Sequence, residues 1–550
     1  MTWWDASICV PPDFGGGVCP TRFCLRRTKP SGIFIATGHG AGHIRIRIVD
    51  SPRLRRGDQD GFMNLSDLPA MRAAQDPDGP AIADESVEMT NAEFRSAVVV
   101  AAGVLRSRGI APGDVVAIML PNSVSFVVGL FAAWRVGATV TPVNPSLAAG
   151  EVAHQLADSA AKLVVTAPEC VAALPASVDA ITDLGAHSGD IEVPGGEPSS
   201  LDLALLIYTS GTTGRPKGVM LDYGNLAAMC AMMIEVFEFD GAAHSLLILP
   251  LFHVNGIVVS ILSPLLSGGR VTIAGRFDAA SFFERVERSR PTYFSGVPTI
   301  FAKLAALPGE SAPDTSSLRF AVCGAAPASS ELLGRFEDRF GVPIVEGYGL
   351  SEGTCASTVN PLRGERKPGT VGPPLPGQSI RVVGSDGSEV GPGALGEVQV
   401  QGRNVMRGYL NRPEETAATI TDGWLRTGDI GYLDENGYLT LVDRAKDMLI
   451  RGGENIYPKE IENVVHQLPE VFEAAVVGRP HPLLGEEPVL VVSPSDGAIL
   501  NEDEIRAHLH GKISKFKIPV AIVIADSLPK NPVGKIDKTV LRKRFAAELV

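Results

Sequence analysis

Leu205-Leu-Ile-Tyr-Thr-Ser-Gly-Thr-Thr-Gly-Arg-Pro-Lys-Gly-Val-Met220 is the stretch on which the reading of this chain turns. The apolar run ends at Tyr208 and reads as a buried strand. Thr209, Ser210, Gly211, Thr212, Thr213 and Gly214 then make a loop of small hydroxyl residues and glycines, followed by Lys217. Glycines let backbone N–H groups approach an anion closely and hydroxyls add donors, so such a loop wraps a polyphosphate. Lys217 supplies positive charge. Pro216 stands where a Walker A loop has glycine before its lysine, so this loop is of another kind. A plain polar turn accounts for one or two of these residues, not for the whole run.

Strands and helices alternate on either side of this stretch. Asn91–Gly109 carries Phe94, Val98, Ala101, Ala102 and Leu105 at helical spacing, Asp114–Leu120 reads as a buried strand, Ser123–Gly137 as a helix and Thr139–Pro142 as a strand. The alternation runs to about residue 345 and predicts an α/β fold, with mostly parallel sheets covered by helices. Between Gln378 and Gly402, short strands with turns at Asp386-Gly387 and Pro392-Gly393 predict a small β subdomain. After Asp443 come a helix opened by Pro458 and running to Leu468, a strand Ala474–Gly478, a helix Glu502–Ile513 and a strand Ala521–Ile524. That is a small α+β domain of roughly 100 residues. The expected division is an extension over 1–62, a large domain over 63–443, a junction at 444–447 and a mobile domain over 448–550. The extension holds nine Lys/Arg against five Asp/Glu, with many Gly and Pro. Apart from an alternating stretch at Ile44–Val49 it has nothing to complete a domain, so it reads as poorly ordered or as preceding a natural start at Met63.

Bulk properties exclude several classes. With 550 residues the chain exceeds one hydrophobic core. A net charge of −13 argues against a general nucleic-acid binder, which needs a basic stripe. The seven cysteines have no C-x-x-C spacing, so neither a zinc site nor a disulfide framework is expected, and a reducing cytoplasm suits them. The apolar runs Val124–Trp134 and Gly256–Leu266 are shorter than the ~20 residues that span a bilayer and read as core helices.

Further segments then fall into place. Gly324-Ala-Ala-Pro327, Glu346-Gly-Tyr-Gly-Leu-Ser-Glu352, Thr427-Gly-Asp429, Asp443-Arg-Ala-Lys-Asp447, Gly452-Gly-Glu-Asn-Ile-Tyr-Pro-Lys-Glu-Ile461 and Pro529-Lys-Asn-Pro-Val-Gly-Lys535 follow the phosphate-type loop in order. From about residue 64 to the C-terminus the sequence resembles the adenylate-forming superfamily, and within it the acyl-CoA synthetases. No one of these motifs is specific; the ordered set is. The resemblance implies that Thr209–Lys217 holds the phosphates of ATP. Gly324, Ala325, Ala326, Glu346, Gly347, Tyr348, Gly349 and Ser351 would surround the adenine, with Tyr348 placed to stack on it. Asp429 and Arg444 would meet the ribose or phosphate. Lys446 would be the hinge, with Gly452, Gly453 and Glu454 opening the mobile domain on the coenzyme A side. Lys535 would enter the site during adenylation and leave it afterwards.

The residue types suit that chemistry. A carboxylate becomes electrophilic at neutral pH when joined to AMP, and two anions must be held together while pyrophosphate leaves. That demands cations and aimed donors where charge develops. Glu352, with the Thr209 hydroxyl, offers hard oxygens to Mg²⁺. Asp429 is able to accept from ribose hydroxyls. Lys217 and Lys535 supply charge from opposite ends of the chain.

Pro250-Leu-Phe-His-Val-Asn-Gly256 resembles the segment that gates the acyl pocket in acyl-CoA synthetases. His253, Val254, Asn255, Gly256, Val297 and Gly324 are the expected pocket residues. Amino-acid-activating relatives carry an Asp in this segment to hold the substrate ammonium; here there is none. The apolar cast of Ser295–Lys303 suits a fatty, alicyclic or aromatic acid. Lys303 hints at a second carboxylate, as in malonate-type activation. The expected acceptor is coenzyme A, with a carrier protein as the alternative; a luciferase-like or purely binding relative is more distant, since Lys217, Glu352 and Lys535 are all retained.

Overall fold

The computed structural model describes residues 34–39, 43–48, 64–185, 198–209, 216–309, 313–326, 328, 330–444, 447–452, 454–495, 497–530 and 535–547. Residues 1–63 and 64–550 are separate compact units. In the first, Phe34–His39 and His43–Ile48 pair as an antiparallel hairpin with His39 opposite His43. Residues 44–48 of the alternating stretch are therefore in a strand; apart from these two strands, the expected extension lies outside the described residues.

The second unit contains the expected α/β layers, built on two large sheets. In the first sheet, Val115–Met119, Thr139–Pro142, Ala161–Thr166, Asp179–Ile181 and Leu203–Thr209 run parallel, and the sheet is extended antiparallel by Lys217–Asp222 and Gly408–Tyr409. In the second, the parallel strands Pro80–Ala83, Arg270–Ile273, His244–Leu247, Tyr293–Gly296, Phe320–Cys323 and Ile344–Tyr348 lie side by side in that order.

Local chemistry explains the covering helices. Asn91–Ser107 begins with a reciprocal cap, in which Glu93 N–H donates to Thr90 Oγ1 and Thr90 N–H donates to the Glu93 carboxylate. Its apolar stripe, Phe94, Val98, Ala101 and Leu105, is buried. Val124–Arg135 starts at the Ser123 cap and is buried almost all round, which is why it read as a continuous apolar run. Trp134 Nε1 donates to the carbonyl of Ala204 at 3.0 Å, fastening this helix beneath the strand that leads to the phosphate-type loop. Residues 254–266 form a helix whose middle, Val258–Leu262, widens to a π-turn, a feature frequent near functional sites. Behind the second sheet, Phe282, Phe294, Phe301 and Phe336 pack edge to face or stacked at 5.0–5.6 Å, contacts that add about 0.5–1.5 kcal/mol each beyond burial.

The β subdomain is an antiparallel sheet of Gln378–Val383, Gly396–Gly402, Trp424–Leu433, Ile420–Thr421 and Leu439–Arg444. Its turns use Gly387 and Gly393 at φ +82° and +78°. The C-terminal sheet joins Leu449–Arg451, Glu454–Ile456, Val471–His481, Gly485–Pro494 and Ala521–Ile524, with helices Pro458–Val465, Glu502–Leu509 and Lys538–Ala547. The strand expected at 474–478 is longer at both ends because it pairs along its length with Gly485–Pro494. The helix expected to reach Ile513 stops at Leu509, where His510 turns extended and Gly511 takes φ +81°. Among the described residues no helix is long and apolar enough to cross a membrane, and Cys170, Cys230, Cys323 and Cys355 are free thiols.

Candidate active site

The two strands flanking the phosphate-type loop pair antiparallel and set Thr209 directly opposite Lys217. Ser210, Gly211, Thr212, Thr213 and Gly214 lie outside the described residues. The Lys217 ammonium is ion-paired with Glu415 and lies 5.0 Å from the centre of the Tyr409 ring. Tyr409 O–H donates to Glu352 Oε1 at 2.8 Å. Burial, reinforced by the Glu352 charge, pushes the Tyr409 phenol far above its ordinary value, so it remains a donor. Thr209 is thus in register with Lys217, and the Glu352 carboxylate is linked to the same lysine through Tyr409. Among the described residues no group of three or more His, Cys, Asp or Glu gathers to hold a metal alone. Two hard oxygen donors beside a phosphate loop fit Mg²⁺, which keeps waters and takes its remaining ligands from phosphate.

The adenine-type segments leave adjacent parallel strands, with Cys323 in register with Glu346. Gly324, Ala325 and Ala326 follow the first strand; Ala325 sits at φ +65°. Glu346 is buried. Burial pushes its carboxyl up to about 7, opposed by the Ala328 N–H and the charge of Lys459. Gly347 and Tyr348 end the second strand. Gly349 turns so tightly that a Cβ there would lie 2.1 Å from the Cys355 carbonyl oxygen, which only glycine tolerates. Ser351 and Glu352 open the single helical turn that follows.

Asp429 stands opposite Arg444 across paired strands. Arg444 Nε approaches Asp429 Oδ1 at 2.7 Å, and Tyr348 O–H donates to Asp429 Oδ2 at 2.5 Å. Both oxygens of this buried carboxylate are thereby oriented, and the Tyr348 ring is tied by its hydroxyl to the ribose-type motif.

Lys535 arrives from the far end of the chain. Its loop is pinched at the base, where Lys530 bridges to Ile536 and Asp537 N–H donates to the Pro529 carbonyl at 2.8 Å; residues 531–534 lie outside the described residues. Lys535 is exposed to water, yet protein surrounds its ammonium on most sides. That desolvation lowers its pKa, Arg444 lowers it further, and Asp429 raises it. His253 is pushed down to about 4, first by burial and then by the charge of Lys535, so it is neutral at pH 7.

Ion pairs surround the junction after Asp443. Lys538 pairs with Glu462 at 2.8 Å and Arg542 with Asp447 at 2.5 Å, while the backbone N–H of Lys459 donates to Asp443 Oδ2 at 2.8 Å. Burial pushes Lys459 down to about 8, against the charges of Glu462, Asp443 and Glu346. Lys446 and Gly453 lie outside the described residues. Gly452, at φ +60°, and Glu454 sit where two strands of the C-terminal sheet meet. No hydrogen bond or ion pair among the described residues ties them to Asp429 or Glu352.

Comparison with known proteins can now be set beside this geometry. The sequence model of the AMP-binding enzyme matches residues 70–410, and that of the AMP-binding enzyme C-terminal domain matches residues 460–535. The chain belongs to the AMP-binding enzyme family. Within that family it resembles CoA ligases. It is 39% identical over 490 residues to a feruloyl-CoA synthase of Amycolatopsis, covering 88% of this chain and 99% of the relative. ATP-bound MatB from Rhodopseudomonas palustris superposes with a TM-score of 0.82 at 33% identity, over 89% of this chain and 100% of the other. The o-succinylbenzoate CoA synthetase of Bacillus subtilis, bound to its acyl-adenylate intermediate, gives 0.79 at 30% identity, over 87% and 97%. This is an adenylate-forming CoA ligase that uses ATP, Mg²⁺ and coenzyme A, and takes a small-molecule acid.

In this ligase the acyl-type residues gather at the ends of neighbouring strands. His253 precedes the short helix Val254–Ile257, which carries Asn255 and Gly256. Ser295 Oγ donates to Asn255 Oδ1 at 3.2 Å, and Asn255 also hydrogen-bonds the Cys355 thiol. Val297 leads into helix Pro298–Ala305, and Gly324 N–H donates to the Gly296 carbonyl at 3.2 Å. Lys303, the hint of a second carboxylate, is exposed on that helix. The motif reading passed over Tyr409 and Glu415, and gave no role to Lys459 within the Gly452–Ile461 motif. Tyr409 sits in a strand of two residues, too short for any periodicity to mark, and its partners are remote in sequence.

Proposed function

We propose that this ligase activates an aromatic monocarboxylic acid whose ring bears a hydrogen-bonding substituent. The substrate carboxylate attacks the α-phosphorus of ATP, the bond to the β-phosphate breaks, and pyrophosphate leaves. The sulfur of coenzyme A then attacks the acyl carbon, and AMP leaves. Lys217 and the loop at 209–214 hold phosphate. Thr209 and Glu352 hold Mg²⁺, which when bound offsets the charge of the phosphates. Asp429 and Arg444 fix the ribose, and residues 324–326 and 346–351 flank the adenine. Lys535 bridges carboxylate and α-phosphate in the first step. Residues 448–550 then turn about 444–447, bringing Gly452–Glu454 toward the coenzyme. The compartment is reducing, in keeping with the free thiols.

The observation that carries this reading is the Asp429 carboxylate held at one oxygen by Arg444 and at the other by Tyr348, with the charge of Lys535 acting on Arg444, Asp429 and His253. The substrate class is supported by residues 252–256 and 295–301, which contain no Lys, Arg, Asp or Glu. A second carboxylate buried there would lack a counter-charge. The Asn255–Ser295–Cys355 group is a polar spot suited to a phenol or methoxy group, and the feruloyl-CoA synthase relative points the same way. The test is pyrophosphate release over a panel of hydroxylated aryl acids, fatty acids and dicarboxylates, followed by thioester analysis with coenzyme A or a carrier protein as acceptor. Hydroxylated aryl acids should lead. A dicarboxylate as best substrate would overturn the class, and acyl-AMP that builds up despite coenzyme A would overturn the acceptor.

A further inference from the structure

We infer that Tyr409 is a positioning residue of the magnesium–nucleotide site, aiming the Glu352 carboxylate with its hydroxyl while its ring supports the Lys217 ammonium. The inference rests on the proposed roles of Glu352 in metal binding and Lys217 in phosphate binding.

Residues 406–416 form a strap across both groups. Val219 pairs with Tyr409 and Met220 with Gly408. Arg407 N–H donates to the Met220 carbonyl at 3.0 Å, and Leu410 N–H to that of Gly218 at 2.8 Å. On the other side, Met406 N–H donates to the Glu352 carbonyl at 2.8 Å. Tyr409 N–H donates to Thr416 Oγ1 at 2.9 Å, and that hydroxyl donates to the Arg412 carbonyl at 2.8 Å. The ring is thus held by its backbone on both sides, and its two working surfaces face different partners. The hydroxyl occupies Glu352 Oε1, which leaves Oε2 as the oxygen to face a cation. The ring lies under the Lys217 ammonium, where a cation–π contact steadies it without neutralising it. Glu415 is the counter-ion of Lys217 and is about a third exposed, so incoming phosphate is able to take its place. One side chain therefore sets the relative positions of the metal-binding carboxylate and the phosphate-binding lysine. These are the two groups whose spacing must match a metal–triphosphate complex.

The test is Tyr409→Phe, which keeps the ring and removes one hydroxyl. Binding of Mn²⁺ in the presence of ATP is followed by electron paramagnetic resonance, metal-free ATP binding by calorimetry, and each half-reaction separately. Losing a hydrogen bond to a charged group should weaken Mn²⁺ binding by about tenfold or more. Adenylation at limiting Mg²⁺ should fall in parallel. Metal-free ATP binding and thioester formation from supplied acyl-AMP should stay within about twofold of wild type, since neither uses the Glu352 carboxylate. Glu352→Gln is run alongside. If it leaves Mn²⁺ binding intact, the metal role of Glu352, and with it part of the proposed function, fails. If Glu352→Gln abolishes Mn²⁺ binding and Tyr409→Phe does not weaken it, this inference alone fails. Loss of metal-free ATP binding, or an equal loss in both half-reactions, would mean that Tyr409 is merely structural and would likewise overturn it.

Discussion

Glu346 gives a prediction whose size follows from its surroundings. The carboxyl is only 9% exposed, and burial moves its titration from 4.5 to about 7. In the unfolded chain the group loses its proton first, so the folded protein holds more protons between those values. Stability therefore falls as pH rises from about 4.5 to 7 and then levels off. At 1.36 kcal/mol per pH unit, the cost of ionising Glu346 reaches about 3 kcal/mol above neutrality and is about 1.4 kcal/mol at pH 5.5. Glu346→Gln removes the charge and keeps an oxygen to accept from Ala328 N–H. For a unit of roughly 400 residues unfolding together, at about 2 cal/mol/K per residue, the gain converts to a Tm rise of ~4 °C at pH 7.5 and ~2 °C at pH 5.5. Calorimetry of both proteins at a fixed scan rate across that range reads the difference. A variant less stable than wild type at pH 7.5, or a gap that stays flat with pH, would refute the reasoning. It would mean that Lys459 pairs with an ionised Glu346 strongly enough to offset its burial.

Three other outcomes are expected. Lys535→Ala should lower adenylation by about 10²–10³, the scale for removing one aimed charge from a reacting centre, while thioester formation from supplied acyl-AMP persists; quench-flow of each half-reaction measures this, and equal losses would remove Lys535 from the first step. Lys446→Pro, which locks φ and deletes a donor at the proposed hinge, should allow acyl-AMP to form and block its transfer; wild-type turnover to acyl-CoA would rule out rotation about that residue. A chain starting at Met63 should remain folded and active, because nothing in residues 1–62 matches the enzyme motifs and a two-stranded hairpin contributes little stability alone; insoluble protein on truncation would contradict it.

Local patterns carried much of the fold. The stripe from Phe94 to Leu105 specifies a helix within a few residues of chain, and the helix is there. The apolar run from Leu205 to Tyr208 specifies a buried strand, which the structure extends to Leu203–Thr209, and the turns at Gly387 and Gly393 need left-handed backbone, which glycine adopts without strain. These signals were legible because periodicity and turn chemistry act between neighbours. Ends were less so: the C-terminal strand at 471–481 took its length from its partner, a property of the sheet.

The sequence by itself thus determined the kinds of element, their order and the residue types available for phosphate, metal and ribose, since each motif is a short run with its own chemistry. Only the tertiary structure decided how those motifs meet. Tyr348 reaches Asp429 across 81 positions, Tyr409 reaches Glu352 across 57, and Lys535 comes beside Arg444 from the terminal domain. No local pattern encodes such pairs, because they exist only once separate sheets and the C-terminal segment pack against one another. For the same reason the strap at 406–416 was invisible as a motif: its two-residue strand has no periodicity, and its role comes from the remote groups it touches.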